Sequence, residues 1–283
     1  MSGVAAALDA FLAGSARGGL LPWSAEREAA ARFGLDARTV EGAALDAGIL
    51  PSRYARNAAC FGLEGQRLLH AARVAVVGCG GLGGHIVENL ARLGLGAIVA
   101  VDPDVFEESN LNRQLLSTIA GLGKAKVEAA AERVAAINPA VRLIPVRARL
   151  CAENADGILK GADAVADGLD SIRGRLEAAD ACSRLGLPFV HAGVAGWYGE
   201  ASTQPPGGST VRAIYGATAA DRGAEAGLGN QAFAPAFAAA IETAELCKIV
   251  LALSPSLVDR LLTFDLLAME MAVFPLGGKQ APN

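Results

Sequence analysis

The sequence predicts an α/β fold: a doubly wound, mostly parallel sheet with antiparallel C-terminal strands, preceded by a small helical extension. Three observations predict it. Between residues 73 and 187, short apolar runs alternate with helix-length segments, the pattern of a parallel sheet wound with helices. The first of those runs leads into a glycine-rich turn, GCGGLGG at 78–84. After residue 189 the pattern changes to strand pairs around turn residues, as in an antiparallel addition.

The elements follow in order. Residues 8–12 and 26–33 read as helices, with Pro22 and Gly34 as breaks, in an extension covering 1–50. With a second helix at 37–46 this stretch has a helix–turn–helix look. That second helix carries more acidic than basic side chains, which suits a packing appendage better than a DNA reader. Residues 74–77 are continuously apolar, as a parallel strand buried on both faces requires. Gly78, Gly80 and Gly83 fit G-x-G-x-x-G, with Gly81 a fourth glycine and Leu82 opening a helix over 82–93. Such a turn lets backbone N–H groups approach a phosphate, and the helix points its positive end at it, so the fold is Rossmann-like. A second strand ends at Asp102, 19 residues after Gly83, where a ribose-binding carboxylate is expected.

The next segment separates a triphosphate site from a plain dinucleotide site. Asn110, Arg113, Gln114, Lys124 and Lys126 follow the second strand closely. Arg and Lys neutralise phosphate oxygens, and Arg does so bidentately. Asn138-Pro139 ends one helix, and 142–147 reads as a strand that Pro145 places at an edge. A further strand at 164–167 carries Asp167 and Asp170 at its carboxyl end, where open α/β sheets bind ligands. A carboxylate there suits Mg²⁺, whose remaining shell comes from phosphates and water. Asp170 or Ser171 also suits the N-cap of a helix at 172–185. Strands are expected at 189–194, 200–204, 210–215, 261–265 and 270–274, and a long apolar helix at 233–253, in the core or at a dimer interface. The glycine-rich stretch 216–230 reads either as a loop long enough to cover a substrate or as a disordered surface loop.

Composition bounds the function. A chain of 283 residues, 52% hydrophobic and 19% charged, supports a substantial core and argues against disorder. A net charge of −4 argues against a general nucleic-acid surface. No apolar run reaches membrane-spanning length. The alanine-rich start lacks Lys or Arg before its apolar stretch and is interrupted by Asp9, which argues against a signal peptide. Five scattered cysteines suit a reducing cytoplasm without a disulfide framework. Cys79, Cys182 and Cys247 read as small buried apolar residues. His70, His85 and His191 are too separated to suggest a metal cluster.

Taken together, the motifs resemble the ubiquitin-activating-type adenylating enzymes, in the bacterial branch typified by ThiF, MoeB and HesA. The likeness covers residues 51–276 and rests on RYARN (53–57), GCGGLGG (78–84), DPD (102–104), SNLNRQ (109–114), GKAK (123–126), INP (137–139), DGLDS (167–171) and TAELCKIVL (243–251). It implies an adenylation domain over 51–283. It implies a homodimer whose subunits use ATP and Mg²⁺ to adenylate the C-terminal glycine of a small ubiquitin-like sulfur carrier ending in Gly-Gly. Carried over by motif, Gly78, Gly80, Gly81, Leu82, Gly83, Asp102 and Asp104 would hold the nucleotide, with Asp102 on the ribose. Asn110, Arg113, Gln114 and Lys126 would serve the phosphates, Asp170 would bind Mg²⁺, and Arg56 would reach across the dimer to the partner's ATP. Lys126, the second lysine of the pair, matches the family's.

The chain departs from the family in its cysteines. It contains no C-x-x-C, so the Cys₄ zinc site of many members is excluded. Residues 203–231, which match the crossover loop, contain no cysteine for a covalent carrier bond. HAGVAGWYGE (191–200) and GNQAFAPA (229–236) resemble a zinc-free subgroup. One alternative is the branch that adenylates the carboxyl group of a modified tRNA base, threonylcarbamoyladenosine, and dehydrates it. A non-catalytic scaffold would be expected to have lost Arg113, Lys126 or Asp170, and all three are present.

Overall fold

The computed structural model describes residues 2–216, 223 and 225–276. Three helices open the chain: α1 (Ser2–Ser15), α2 (Trp23–Phe33) and α3 (Ala37–Asp46). They enclose an apolar cluster of their own, built on Leu8, Leu12, Leu21, Ala29, Val40 and Ala44. Gly34 ends α2 in the left-handed conformation, and the Asp36 side chain caps α3 by accepting from Thr39 N at 2.7 Å. Two short strands, β1 (Leu20–Leu21) and β2 (Leu50–Pro51), pair in parallel beside this cluster. A single 3₁₀ turn, Ser52–Tyr54, then leads into α4 (Ala58–Ala71).

The main sheet comprises β3 (Arg73–Val77), β4 (Ala97–Val101), β5 (Arg142–Val146), β6 (Ala164–Asp167), β7 (Phe189–Ala195), β8 (Tyr198–Gln204), β9 (Arg260–Asp265) and β10 (Glu270–Pro275). Their order is β10-β9-β8-β7-β6-β3-β4-β5. Strands β3 to β7 pair in parallel and β8 to β10 antiparallel. The helices between and around them are α5 (Gly81–Leu93), α6 (Lys126–Ile137), α7 (Ala155–Leu159), α8 (Ile172–Leu185), α9 (Thr210–Tyr215), α10 (Glu225–Leu228) and α11 (Phe233–Val250). Alternate residues of β3 enter opposite layers, which is why the strand reads as unbroken apolar sequence. Val74 and Val76 join the cluster with Ile86 of α5 and Leu246 of α11. Ala75 and Val77 join the one with Ala178 and Cys182 of α8. Pro145 lies on the edge strand, where its missing N–H costs no ladder bond.

The chain leaves β3 toward β4 and β5, then returns to β6 on the other side of β3. That reversal opens a crevice at the carboxyl ends of β3 and β6, the switch point where such sheets bind ligands.

Two expectations need correction. Residues 210–215 form helix α9, not a strand. Their β-branched composition is overridden by packing: Val211 is fully buried with the α8 layer, and Thr210 Oγ1 donates to Asp259 Oδ1 at 3.0 Å. The antiparallel partner of β8 on its outer side is β9 instead. The long apolar helix ends at Val250 rather than 253, where Ala252 takes a positive φ of 51°. It lies in the core against α5, with Ala238, Ala239 and Leu246 fully buried. Of the expected loop 216–230, residues 217–222 and 224 lie outside the described residues. Among the described residues, no helix is long and apolar enough to cross a membrane.

Candidate functional site

A cleft of about 520 Å³ occupies the switch point. Gly78, Gly80, Gly81 and Leu82 line it at the N-terminus of α5, so backbone N–H groups and the positive end of the helix face the opening. Two glycines make this approach possible. Gly78 has φ +93°, and a Cβ there would fall 2.4 Å from the Gly168 carbonyl oxygen. Gly83 does not line the cleft; it lies behind it, where a Cβ would fall 1.7 Å from the Gly78 oxygen. The turn after β3, the loop after β6 and the start of α5 are in backbone contact, so no side chain fits between them.

The opposite wall comes from β4 and the segment after it. Asp102 is buried and lines the cleft, with Oδ2 accepting from Cys79 N at 2.7 Å and Oδ1 from Asp104 N at 2.8 Å. It ties the glycine turn to the end of β4. Burial pushes its carboxyl up, against the pull of these amides and Lys126. Lys126 is buried at the first turn of α6, where a cation opposes the helix dipole. Its Nζ lies 3.1 Å from Asp104 Oδ2, and both residues line the cleft. Lys124 instead pairs with Glu132 and does not line it.

Arg113 and Gln114 line the cleft beyond the 3₁₀ turn Glu108–Asn110. Arg113 Nη1 is held by the Ser109 carbonyl at 3.0 Å and Asn112 Oδ1 at 2.8 Å. Gln114 Oε1 is buried without a hydrogen-bond partner among the described residues. Asn110 stands behind this wall: its Oδ1 accepts from Glu107 N at 3.0 Å, closing the turn that carries Arg113, and it does not line the cleft. Arg56 is also outside the cleft, exposed just after the Ser52–Tyr54 turn.

The two aspartates after β6 have different situations. Asp167 is fully buried and faces inward: its Oδ2 lies 2.6 Å from His191 Nδ1, and its Oδ1 accepts from Leu169 N. Asp170 is exposed in the cleft and makes no hydrogen bond among the described residues. Ser171 takes the capping role, its Oγ accepting from Gly174 N at 3.2 Å. The Asp170 carboxylate therefore remains available, and one carboxylate exposed in a cleft that Arg113 and Lys126 also line fits the donor set that Mg²⁺ takes beside nucleotide oxygens. Sequence reasoning missed Arg149 and Arg175, which also line the cleft. The signal for Arg149 was its place just after the edge strand, at the carboxyl end of the sheet.

A second cavity of about 770 Å³ shares Arg175 and Val194 with the cleft. Tyr198, Glu200, Tyr215, Phe264 and Met271 also line it. Between the two openings runs a buried polar network. Tyr215 OH donates to Glu200 Oε1 at 2.8 Å and lies 3.1 Å from His191 Nε2. Arg175 donates to Tyr215 OH and to the Leu169 carbonyl. The tyrosine has one proton, so all contacts are met when His191 donates from both nitrogens. Although burial alone would lower it, its pKa is raised by the bonds to Asp167 and Glu200.

Glu242 of α11 is fully buried near this network, and among the described residues neither of its carboxylate oxygens finds a hydrogen-bond partner. Burial, and next the Asp167 charge, push its carboxyl well above the ordinary value. A raised acid pKa in the folded state means that folding takes up a proton, so stability falls as pH rises from the carboxylate range toward the folded value. Glu242→Gln is expected to raise stability at pH 8 by roughly 1–3 kcal/mol and to change it little at pH 4. Denaturant titrations at both pH values check this, and an equal change at both would refute the proton uptake.

Comparison with known proteins places this geometry. The ThiF family matches residues 54–283. The SAMP-activating enzyme E1 of Haloferax volcanii is 35% identical over 228 residues, covering 79% of this chain and 84% of that protein. The probable adenylyltransferase/sulfurtransferase MoeZ of Mycobacterium tuberculosis is 34% identical over 230 residues, covering 77% of this chain and 58% of that protein. Among solved structures, E. coli MccB with ATP superposes at a TM-score of 0.65 and 21% identity, over 80% of this chain and 72% of that one. E. coli tRNA N6-threonylcarbamoyladenosine dehydratase, TcdA, superposes at 0.60 and 26% identity, over 71% and 94%.

Proposed function

The chain belongs to the ThiF family of E1-like adenylyltransferases, and on that footing we propose that it adenylates the C-terminal glycine of a small ubiquitin-like sulfur carrier with ATP, for sulfur transfer in cofactor biosynthesis. The observation that carries this reading is the pairing of two openings. Arg113, Lys126 and Asp170 surround a helix N-terminus in one, and a second, partly aromatic cavity opens beside it through Arg175 and Val194. The first suits a triphosphate and the second an extended peptide tail reaching toward it. The same reading divides the chain into an extension over 1–50 and an adenylation domain over 51–283.

In this reaction the carrier's carboxylate attacks the α-phosphorus of ATP, and the bond to the pyrophosphate oxygen breaks. The products are an acyl-adenylate and pyrophosphate. The carboxylate is already ionised at neutral pH, so no general base is required. What the site must do is align the nucleophile and neutralise charge on the phosphates. The α5 N-terminus, Arg113 and Lys126 supply fixed positive charge there, with Asp102 at the ribose. Asp104 holds Lys126 in place. Asp170 would hold Mg²⁺, which supplies further neutralisation of the phosphates when bound. The resemblance of RYARN to the family's motif implies that Arg56 reaches across a homodimer to the partner's ATP, and its exposed position outside its own subunit's cleft supports this.

The test is ATP–pyrophosphate isotope exchange with Mg²⁺ and a panel of carriers ending in Gly-Gly, with tRNA included. Exchange that requires one carrier supports the reading. Exchange that requires tRNA would transfer it to the dehydratase-like alternative that the likeness to TcdA favours. Asp170→Asn is expected to shift the Mg²⁺ dependence of exchange to higher concentration. An unchanged Mg²⁺ titration would remove Asp170 from metal binding.

A further inference from the structure

We propose that the N-terminal helices act as a clamp that positions Arg56 for the partner subunit's nucleotide, with Arg53 as the clamped residue and Glu26 and Glu41 as its jaws. This rests on the homodimer and on Arg56 acting across it.

Three residues before Arg56, the Arg53 guanidinium is enclosed. Nη2 donates to Glu26 Oε2 at 2.6 Å, and Nη1 donates to Glu41 Oε2 at 2.7 Å and to Asn138 Oδ1 at 3.0 Å. The guanidinium also lies 4.9 Å from the ring centroid of Trp23. Trp23 and Glu26 belong to α2 and Glu41 to α3, so most of this cage comes from the extension. Both carboxylates are about 1% exposed. Buried carboxylates are costly unless paired and hydrogen-bonded, so two of them converging on one guanidinium hold it to one geometry.

The neighbouring residue extends the cage into the nucleotide domain. Tyr54 is fully buried and donates to Glu41 Oε1 at 3.0 Å, while Asn138 Nδ2 donates to Tyr54 OH at 2.7 Å and to the Ala91 carbonyl at 3.0 Å. Ala91 lies on α5, whose N-terminus lines the cleft, and Asn138 caps the C-terminal end of α6, which begins at Lys126. The far ends of both cleft-forming helices and the extension therefore meet at Arg53 and Tyr54. From this anchored turn Arg56 projects exposed, with no hydrogen bond or ion pair among the described residues. Its own cleft lies at the opposite ends of α5 and α6, in keeping with the target on a second subunit that the family resemblance implies. Without residues 1–50, Arg53 would keep only Asn138 and Tyr54, and the turn would lose its fixed direction.

Mixed dimers test this with ATP alone as the probe. One subunit carries Arg113→Ala and Lys126→Ala, which disables its own cleft, so ATP binding reports only the other. Placing Glu26→Gln with Glu41→Gln in the disabled subunit is expected to weaken ATP binding at the intact cleft by about 10–100-fold, as for a lost charge-assisted bond. Placing the same pair in the subunit with the intact cleft is expected to leave binding within about twofold. Trp23→Ala gives the same test if the double variant unfolds. Equal weakening in both arrangements, or none in the first, overturns the clamp. Arg56→Ala in the disabled subunit is the control: if it leaves binding unchanged, the trans reading of Arg56 fails on its own account. A chain that stays monomeric in light scattering overturns both.

Discussion

Arg113→Ala is expected to slow carrier-dependent ATP–pyrophosphate exchange by roughly 10²–10³, about 3–4 kcal/mol of transition-state stabilisation. The pentavalent α-phosphorus carries more charge on its oxygens than the ground state, and a guanidinium held in advance costs no reorganisation when that charge develops. Arg113 meets the condition of being held: its Nη1 is fixed by Ser109 and Asn112, and its loop is closed by Asn110. Arg113→Lys is expected to recover only part of the rate, because an ammonium lacks the planar fork that meets two phosphate oxygens. The loss should appear in kcat as well as kcat/KM, since the bond strengthens in the transition state. A rate near wild type for the alanine variant would remove Arg113 from the chemistry.

Gly83→Ala is expected to destabilise the fold by about 3 kcal/mol or more. The added methyl would fall 1.7 Å from the Gly78 oxygen and 3.3 Å from Val76 Cγ1. The first of these is backbone, so no rotamer change relieves the clash. Either α5 moves off β3 or the glycine turn opens, and both disrupt the N–H groups that face the cleft. Gly80→Ala is the informative contrast. Its nearest neighbour would be Gln114 Nε2 at 3.5 Å, an ordinary contact, so that variant should fold with a near-normal Tm. It should nevertheless bind ATP more weakly, because the methyl enters the cleft itself. Thermal melts with ATP titrations separate the two cases. Comparable Tm values for both variants would refute the close-packing role of Gly83.

The correspondence between sequence and structure is uneven in an instructive way. The β3 strand, the glycine turn and α5 were legible because one local pattern encodes all three: an apolar run, glycines where a Cβ has no room, and a periodic helix. Residues 210–215 were misread because Thr210, Val211 and Ile214 favour a strand locally, while the pocket under α8 that buries Val211 is formed by residues remote in sequence. The sequence put Asp167 and Asp170 together at the end of one strand and assigned a role to Asp170 alone. Their different situations, one turned to His191 and one open to the cleft, depend on a histidine 24 residues from Asp167.

Local order was enough to establish the fold class, and it pointed to the switch-point cleft and to most of the charged residues that line it. Those features rest on strand periodicity, glycine spacing and charge within short segments, which the chain carries whether folded or not. Folding alone determined that Asn110 supports the wall rather than facing the cleft, that Arg175 joins two openings, and that Glu26 and Glu41 close on Arg53. The last two depend on side chains remote in sequence meeting in a space from which water is excluded. There, burial decides which polar groups must pair, and no stretch of sequence read by itself contains that constraint.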